Sequence, residues 1–459
     1  MKISKLLTLA LVCAFCAPAM AQESLLDIYQ RALMADPAIR EAESTYHAQA
    51  EVKPQVRAGL LPTVSLSATR SARHTDTAGG SIEPISGASV GNQNISDSDN
   101  RGFNVGLTQT LFNWSLYAQL RQADKRVVRA ETDYEAAKQQ LLIRVSTAYF
   151  NVLAAEDNLA SATAAREAIN RQLEQAQRRF EVGLIAITDV QQSQAAFDSA
   201  QADEIDTQRA LATSQELLRE IIGELVTDLA GPTDELPLLA PEPANAEEWV
   251  RTALMQNLAL VSQRLATDIA NDQIDIDRGS RLPTLSLSAG YNDSTTDSTT
   301  TFFSDLLPPR TSPANTNPVG RNWSLDLRFP IFTGGLNKSR IQQSVYLHRA
   351  ATETLERIAR QTERQTRDFY LGVLSGISRV RALRQAVESN RTALRATEAG
   401  FEVGTQTTVE VLLAQNNLRR AETTYSRSRY DYMLDVLSLK QAAGSLTVAD
   451  LEQIDGWLK

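Results

Sequence analysis

The chain has 459 residues, a formal net charge of −9, 42% hydrophobic residues and two cysteines. That acidic balance argues against nucleic-acid binding, which needs a basic surface to meet phosphate. Cys13 and Cys16 both lie near the N-terminus, so the body of the chain can hold neither disulfides nor thiolate metal sites.

Lys2 and Lys5 precede the apolar run Leu6–Ala17, and Ala19-Met20-Ala21 supplies a small-x-small site. This pattern predicts a secretory signal over residues 1–21, cleaved after Ala21. The run is too short for a membrane span. A lipoprotein site would need small residues before its cysteine, and Cys16 follows Phe15. Cleavage removes both lysines and takes the charge to −11. No later segment has the apolar length of a transmembrane helix, so entry into a membrane would require β-strands.

Residues 22–226 read as one unit. A helical stretch, Ala38–Arg57, leads into a strand pair at about 62–113. In Pro62–Ser71, Val64, Leu66 and Ala68 alternate with Ser65, Ser67 and Thr69. In Gly102–Leu111, Phe103, Val105 and Leu107 alternate with Asn104, Gly106 and Thr108. Alternation predicts strands with one apolar face. The polar stretch between them, Thr75–Asn100, reads as a long loop. A helix over 114–180 follows, and that whole stretch holds no Pro or Gly. Its apolar residues step by three and four through Leu116, Leu120, Ala123, Val127 and Ala130, a coiled-coil seam. At its full length the helix would reach ~100 Å. A second helix spans 188–222.

Thr227–Asn245 carries four prolines and reads as a linker. Residues 246–446 then repeat the plan. A helix at Thr252–Arg278 precedes a strand pair at about 283–332, formed by Pro283–Tyr291 and Trp323–Ile331. Ser294–Val319 forms a polar loop between them, equal in length to the first. A long helix follows over 335–401, and another over 409–443. Residues 447–459 read as a short peripheral helix. The halves match at one fixed offset, which pairs Gly183 with Gly404, Asp189 with Glu410 and Tyr149 with Tyr370. A repeat spanning nearly half the chain is a duplicated domain rather than a solenoid unit.

The strands suit either a soluble sheet over helices or a membrane barrel. Their polar faces are made of small and charged groups, and ~10 residues fit a tilted crossing, which favours the membrane. Four strands cannot close a barrel, and an open edge in lipid leaves backbone groups unpaired. The barrel must then be shared. Two protomers would supply eight strands with a side-chain-filled interior; three would supply twelve and a hollow one.

"FEVGLIAITDV" (Phe180–Val190) and "FEVGTQTTVEV" (Phe401–Val411) each break a long helix. Gly183 and Gly404 suit the left-handed conformation that stops a helix. Thr188-x-x-Gln191 and Thr407-x-x-Glu410 fit capping boxes for the helices that follow. These turns, the duplicated halves and the C-terminal "SRYDYMLDVLSLKQAAGSL" together resemble the TolC family of outer-membrane efflux proteins. The resemblance covers essentially the whole mature chain.

It implies a mixed membrane α/β-barrel fold with an internal two-fold repeat. A homotrimeric 12-stranded outer-membrane β-barrel, with four strands per chain, would be continued by a long α-helical coiled-coil tunnel through the periplasm. The implied function is a passive exit duct for tripartite efflux pumps or type I protein secretion. The implied partners are a periplasmic adaptor (membrane fusion) protein, an inner-membrane RND, ABC or MFS transporter, and outer-membrane lipid.

In such proteins the tip turns dock the adaptor, here Gly183, Leu184, Gly404 and Thr405. The tunnel closes nearby, which maps to Glu410, Asp189, Thr188, Gln406 and Phe401. The sequence departs from the family prototype there. Phe401 stands for a tyrosine, Gln406 for an arginine, and Leu413 for a second ring acid. The resemblance then implies that Glu410 supplies one acidic ring on the pore axis, the alternative being that it simply favours a helix N-terminus through the dipole. Asp189 suits either the gate or a plain helix N-terminus.

An enzyme has little to work with. Only His47, His74 and His348 are present, with no HExxH, no GxSxG and no phosphate-binding glycine loop. No cofactor or metal is implied. The remaining alternative is a surface adhesin or a structural periplasmic spacer, which would conduct no ions.

Overall fold

The computed structural model describes residues 22–82, 87, 89–233, 236–305 and 307–458. The leader expected at residues 1–21 lies outside the described residues. The elements run α1 (Leu25–Ala35), α2 (Pro37–Ala50), α3 (Val52–Ala58), β1 (Thr63–Ile82), β2 (Ser89–Phe112), α4 (Trp114–Glu181) and α5 (Ile187–Ile222). They continue as α6 (Ala246–Gln256), α7 (Leu258–Gly279), β3 (Thr284–Ser304), β4 (Leu307–Thr316), β5 (Val319–Arg328), α8 (Leu336–Glu402), α9 (Thr408–Ala443) and α10 (Val448–Asp455). The chain divides into two compact units, residues 48–128 with 265–353, and residues 22–47 with 129–264 and 354–458.

The first unit holds one antiparallel sheet in the order β1-β2-β3, with β4 and β5 both on the far side of β3. β4 and β5 are halves of one strand in a single register, Thr296 facing Thr316 and Asp293 facing Val319. The break falls at Asn317-Pro318, where proline has no N–H to give the ladder. Each chain thus has four strands, the fourth interrupted. The apolar alternation lines one face. Val64 pairs with Leu107, Leu107 with Ala289, and Ala289 with Trp323.

The two polar stretches are mostly strand, which corrects the loop expectation. The β1–β2 ladder continues from Thr75↔Ser96 to Ile82↔Ser89, and β3 runs on to Ser304 before β4 starts at Leu307. Parts of both expected loops, residues 83–86, 88 and 306, lie outside the described residues. Ser and Thr replace the apolar residues here, so no face alternates, yet β-branched Thr still suits a strand. Hydroxyls bond across the ladder, Ser96 to Thr300 and Thr301 to Thr311, each at 3.2 Å. At the other end β5 stops at Arg328, short of the expected Ile331, just before Phe329-Pro330.

In the second unit the long helices pack around a core that includes Leu141, Val145, Phe150, Val373, Val380, Met433 and Leu437. Phe150 stacks on Tyr430 at 5.7 Å between centroids, and Tyr430 donates to Asp157 Oδ2 at 2.8 Å. Two short helices begin before the expected helical stretches. α1 is capped by Ser24 and α6 by Asn245, whose side chains accept from Asp27 N and Glu247 N. The breaks after them fall at matching residues of the halves. Asp36 and Asn257 each end one helix and cap the next through Ala38 N and Leu260 N.

The described parts of the expected linker, residues 227–233 and 236–245, are docked, and residues 234–235 lie outside the described residues. Tyr149 donates its hydroxyl to the carbonyls of Glu23 (3.1 Å) and Ala230 (2.7 Å), and the Tyr432 hydroxyl bonds both N–H and C=O of Leu239. A proline-rich strap has few donors and only isolated bridges, Ala230 N–H to Glu23 O and Thr233 N–H to Trp457 O, so other backbone groups take side-chain partners. α10 is not peripheral either. Leu451 and Ile454 are fully buried, because a helix with one apolar face stabilises the fold only by covering it.

Candidate functional site

Both long helices end in the same backbone motif. Gly183 has φ +73° and Gly404 φ +80°. In the first turn Gly183 N–H donates to Phe180 O at 2.8 Å and Leu184 N–H to Arg179 O at 2.9 Å. In the second, Gly404 N–H donates to Phe401 O at 3.1 Å and Thr405 N–H to Gly400 O at 2.8 Å. This pair of bonds satisfies the last carbonyls of a helix and needs a residue free to take positive φ. Both glycines take the conformation expected from the sequence.

The helix starts differ. Thr407 caps α9 with a full capping box: Glu410 N–H donates to Thr407 Oγ1 at 3.3 Å, and Thr407 N–H to Glu410 Oε2 at 2.6 Å. At the matching position α5 begins with Ala186, which offers no side-chain acceptor. The capping box expected at Thr188 is therefore absent. Thr188 already lies inside the helix, too late to meet the first free N–H groups. Asp189 sits in that first turn, where its charge complements the dipole.

Glu410 also collects Gln406. With its amide turned to donate, Gln406 bonds Glu410 Oε2 at 2.6 Å and Oε1 at 3.1 Å. Gln406 thus faces Glu410 within the chain, and no side-chain partner of Asp189 is found among the described residues. Gly400 makes room for this packing, since a Cβ there would lie 2.6 Å from Gln406 Cγ. Around the turns three aliphatic side chains project into solvent: Val182 (70% exposed), Leu184 (73%) and Val403 (75%).

Phe401 behaves differently. Its ring is buried and lies under the Arg179 guanidinium, whose carbon is 4.6 Å from the ring centroid. Sequence reasoning did not single out Arg179. The signal in the sequence was slight: Arg179 is matched by Gly400 immediately before the shared Phe-Glu-Val-Gly, but the residues preceding both differ between the halves as well. Ion pairs brace each hairpin, Arg166 to Glu204 at 2.8 Å and Arg391 to Glu422 at 3.1 Å, and Arg419 reaches Asp203 across them at 3.4 Å.

The family model described as outer membrane efflux protein matches the chain twice, over residues 28–224 and 249–445. The chain belongs to the outer membrane efflux protein family. It is 34% identical to outer membrane protein TolC of Vibrio cholerae serotype O1, an alignment covering 95% of this chain and 94% of that protein. It is 33% identical to outer membrane protein TolC of Escherichia coli strain K12, over 94% and 84% of the two chains. Alkaline protease secretion protein AprF of Pseudomonas aeruginosa is 28% identical over 94% and 86%. Among solved structures, the CmeC outer membrane channel of Campylobacter jejuni superposes with a TM-score of 0.72 at 17% identity, covering 95% of this chain and 90% of that one. That likeness shows the fold. This efflux protein is an outer-membrane channel with a periplasmic extension, and it is not an enzyme.

Proposed function

We propose that three copies close a twelve-stranded barrel and a helical tunnel, and that the paired glycine turns form its periplasmic tip. The observation that carries the assembly is the sheet. β1 and the β4–β5 line have no partner on their outer sides among the described residues, while the face bearing Leu66, Trp323 and Leu327 is apolar and exposed. Lipid accepts such a face but not an open edge.

At the tip, Gly183, Leu184, Gly404 and Thr405 form the docking turns for a periplasmic adaptor, with Val182 and Val403 adding apolar area. The adaptor joins the duct to an inner-membrane transporter of the RND, ABC or MFS class. The likeness to proteins named TolC and to an alkaline protease secretion protein supports both efflux and type I secretion as uses of the duct. Three Glu410 carboxylates ring the constriction, with Asp189, Thr188, Gln406 and Phe401 around them. Detergent-extracted protein should scatter light at three times the mature chain mass. A stable monomer or dimer that still conducts ions would overturn the assembly.

A further inference from the structure

The two phenylalanines of the repeated turns occupy the same backbone position and different environments. Phe180 is 41% exposed, whereas Phe401 is 7% exposed with the Arg179 guanidinium over its face. The asymmetry follows from the residue that precedes each. In the first turn that residue is Arg179, which leaves α4 toward the second hairpin. In the second it is Gly400, held small by Gln406. Arg179 and Phe401 therefore join α4 to α8 at the ends of both helices.

The next charged link between the hairpins is Arg419 to Asp203. Asp203 lies roughly 24 Å along α5 from its first residue, Ile187, beside the turn. The other ion pairs of this region, Arg166 to Glu204 and Arg391 to Glu422, lie within one hairpin each. Ala196 and Ala200 of α5 border one cleft with Leu412 and Leu413 of α9, and beyond it Arg179 on the Phe401 ring is the last charged contact between the hairpins among the described residues. Phenylalanine offers this contact no hydroxyl, so the attraction is that of a cation for the ring face, strengthened because the ring is shielded from water.

We propose that Arg179 is a positioning residue of the gate, latching the α8–α9 hairpin to the α4–α5 hairpin through the face of Phe401. The contact sets how often the periplasmic end opens. This rests on the reading that the tip turns are where the duct closes.

The test uses the full trimer in planar bilayers, without adaptor. Arg179→Gln should raise the open fraction roughly two- to thirtyfold, the range expected for loss of a cation–ring contact. Phe401→Leu, which keeps the burial and loses the ring, should do the same. The double variant should open no more than either single one, since both remove one contact. Arg179→Lys should restore much of the closure. Additive effects in the double variant would overturn the latch. So would wild-type open fractions in both single variants. Glu410→Gln in the same recordings separates the two readings. If it changes cation selectivity while Arg179→Gln does nothing, only the latch fails. If neither changes anything, the tip is not the closure point. Arg179 is half-exposed, so its variant carries the test even if Phe401→Leu assembles poorly.

Discussion

Thr407 and Glu410 cap each other reciprocally, and the matching pair in the other half, Ala186 and Asp189, does not. One side-chain acceptor separates the two helix starts. Thr407→Ala should weaken the first turn of α9 by about 1 kcal/mol, and Ala186→Thr should strengthen that of α5 by a similar amount. Amide hydrogen exchange in the two first turns would read both. Unchanged exchange in Ala186→Thr would mean that the α5 start is satisfied by other groups in the assembly.

Glutamine can replace glutamate in a capping box, so Glu410→Gln removes charge and leaves the helix start intact. Cation selectivity and block by trivalent cations should both fall, because carboxylates converging in a narrow ring are weakly screened. Gln406→Arg should act in the same direction by pairing with the carboxylate that Gln406 now meets. Selectivity and block that survive Glu410→Gln would leave Glu410 a capping residue only.

The exposed aliphatic groups of the turns test docking. Leu184→Asp or Val403→Asp should weaken adaptor binding by roughly ten- to a hundredfold, the worth of one buried aliphatic side chain. Adaptor-dependent transport in cells carrying either variant should fall, while trimer yield and bilayer conductance stay as in wild type. Normal binding would move the docking site away from the turns.

Stability should respond to pH through Glu156. Burial raises its carboxyl above the ordinary range, with Asp157 and Asp228 adding to the shift. The unfolded chain ionises this group more readily, so its cost is absent in acid and is fully present once pH exceeds the raised value. Glu156→Gln should therefore raise the unfolding temperature at neutral pH, with the gain fading as pH falls through the carboxylate range. A gain that is constant with pH would point to packing instead.

Much of the architecture is local and legible. The ends of α4 and α8 lie within a residue of expectation, because a long stretch with a coiled-coil seam and few or no helix breakers has no other stable form. Gly183 and Gly404 are legible because only a residue without Cβ takes positive φ cheaply. The alternation of Val64, Leu66, Phe103 and Val105 marks the apolar face of the sheet.

Other features depend on residues far apart in the chain. The polar ends of β1, β2 and β3 are strands because each ladder supplies the next with partners, and wet faces carry no hydrophobic period to announce it. The strap is held at Ala230 by Tyr149 and at Leu239 by Tyr432, and Leu451 is buried by helices that its own segment cannot specify. Arg179 and Phe401 belong to opposite halves of the repeat. By itself the sequence determined the helices, the turns and the duplicated plan, where backbone sterics and side-chain period act within a few residues. Only the tertiary structure decided how far the strands run and that Arg179 lies over the Phe401 ring, because those depend on groups brought close solely by folding.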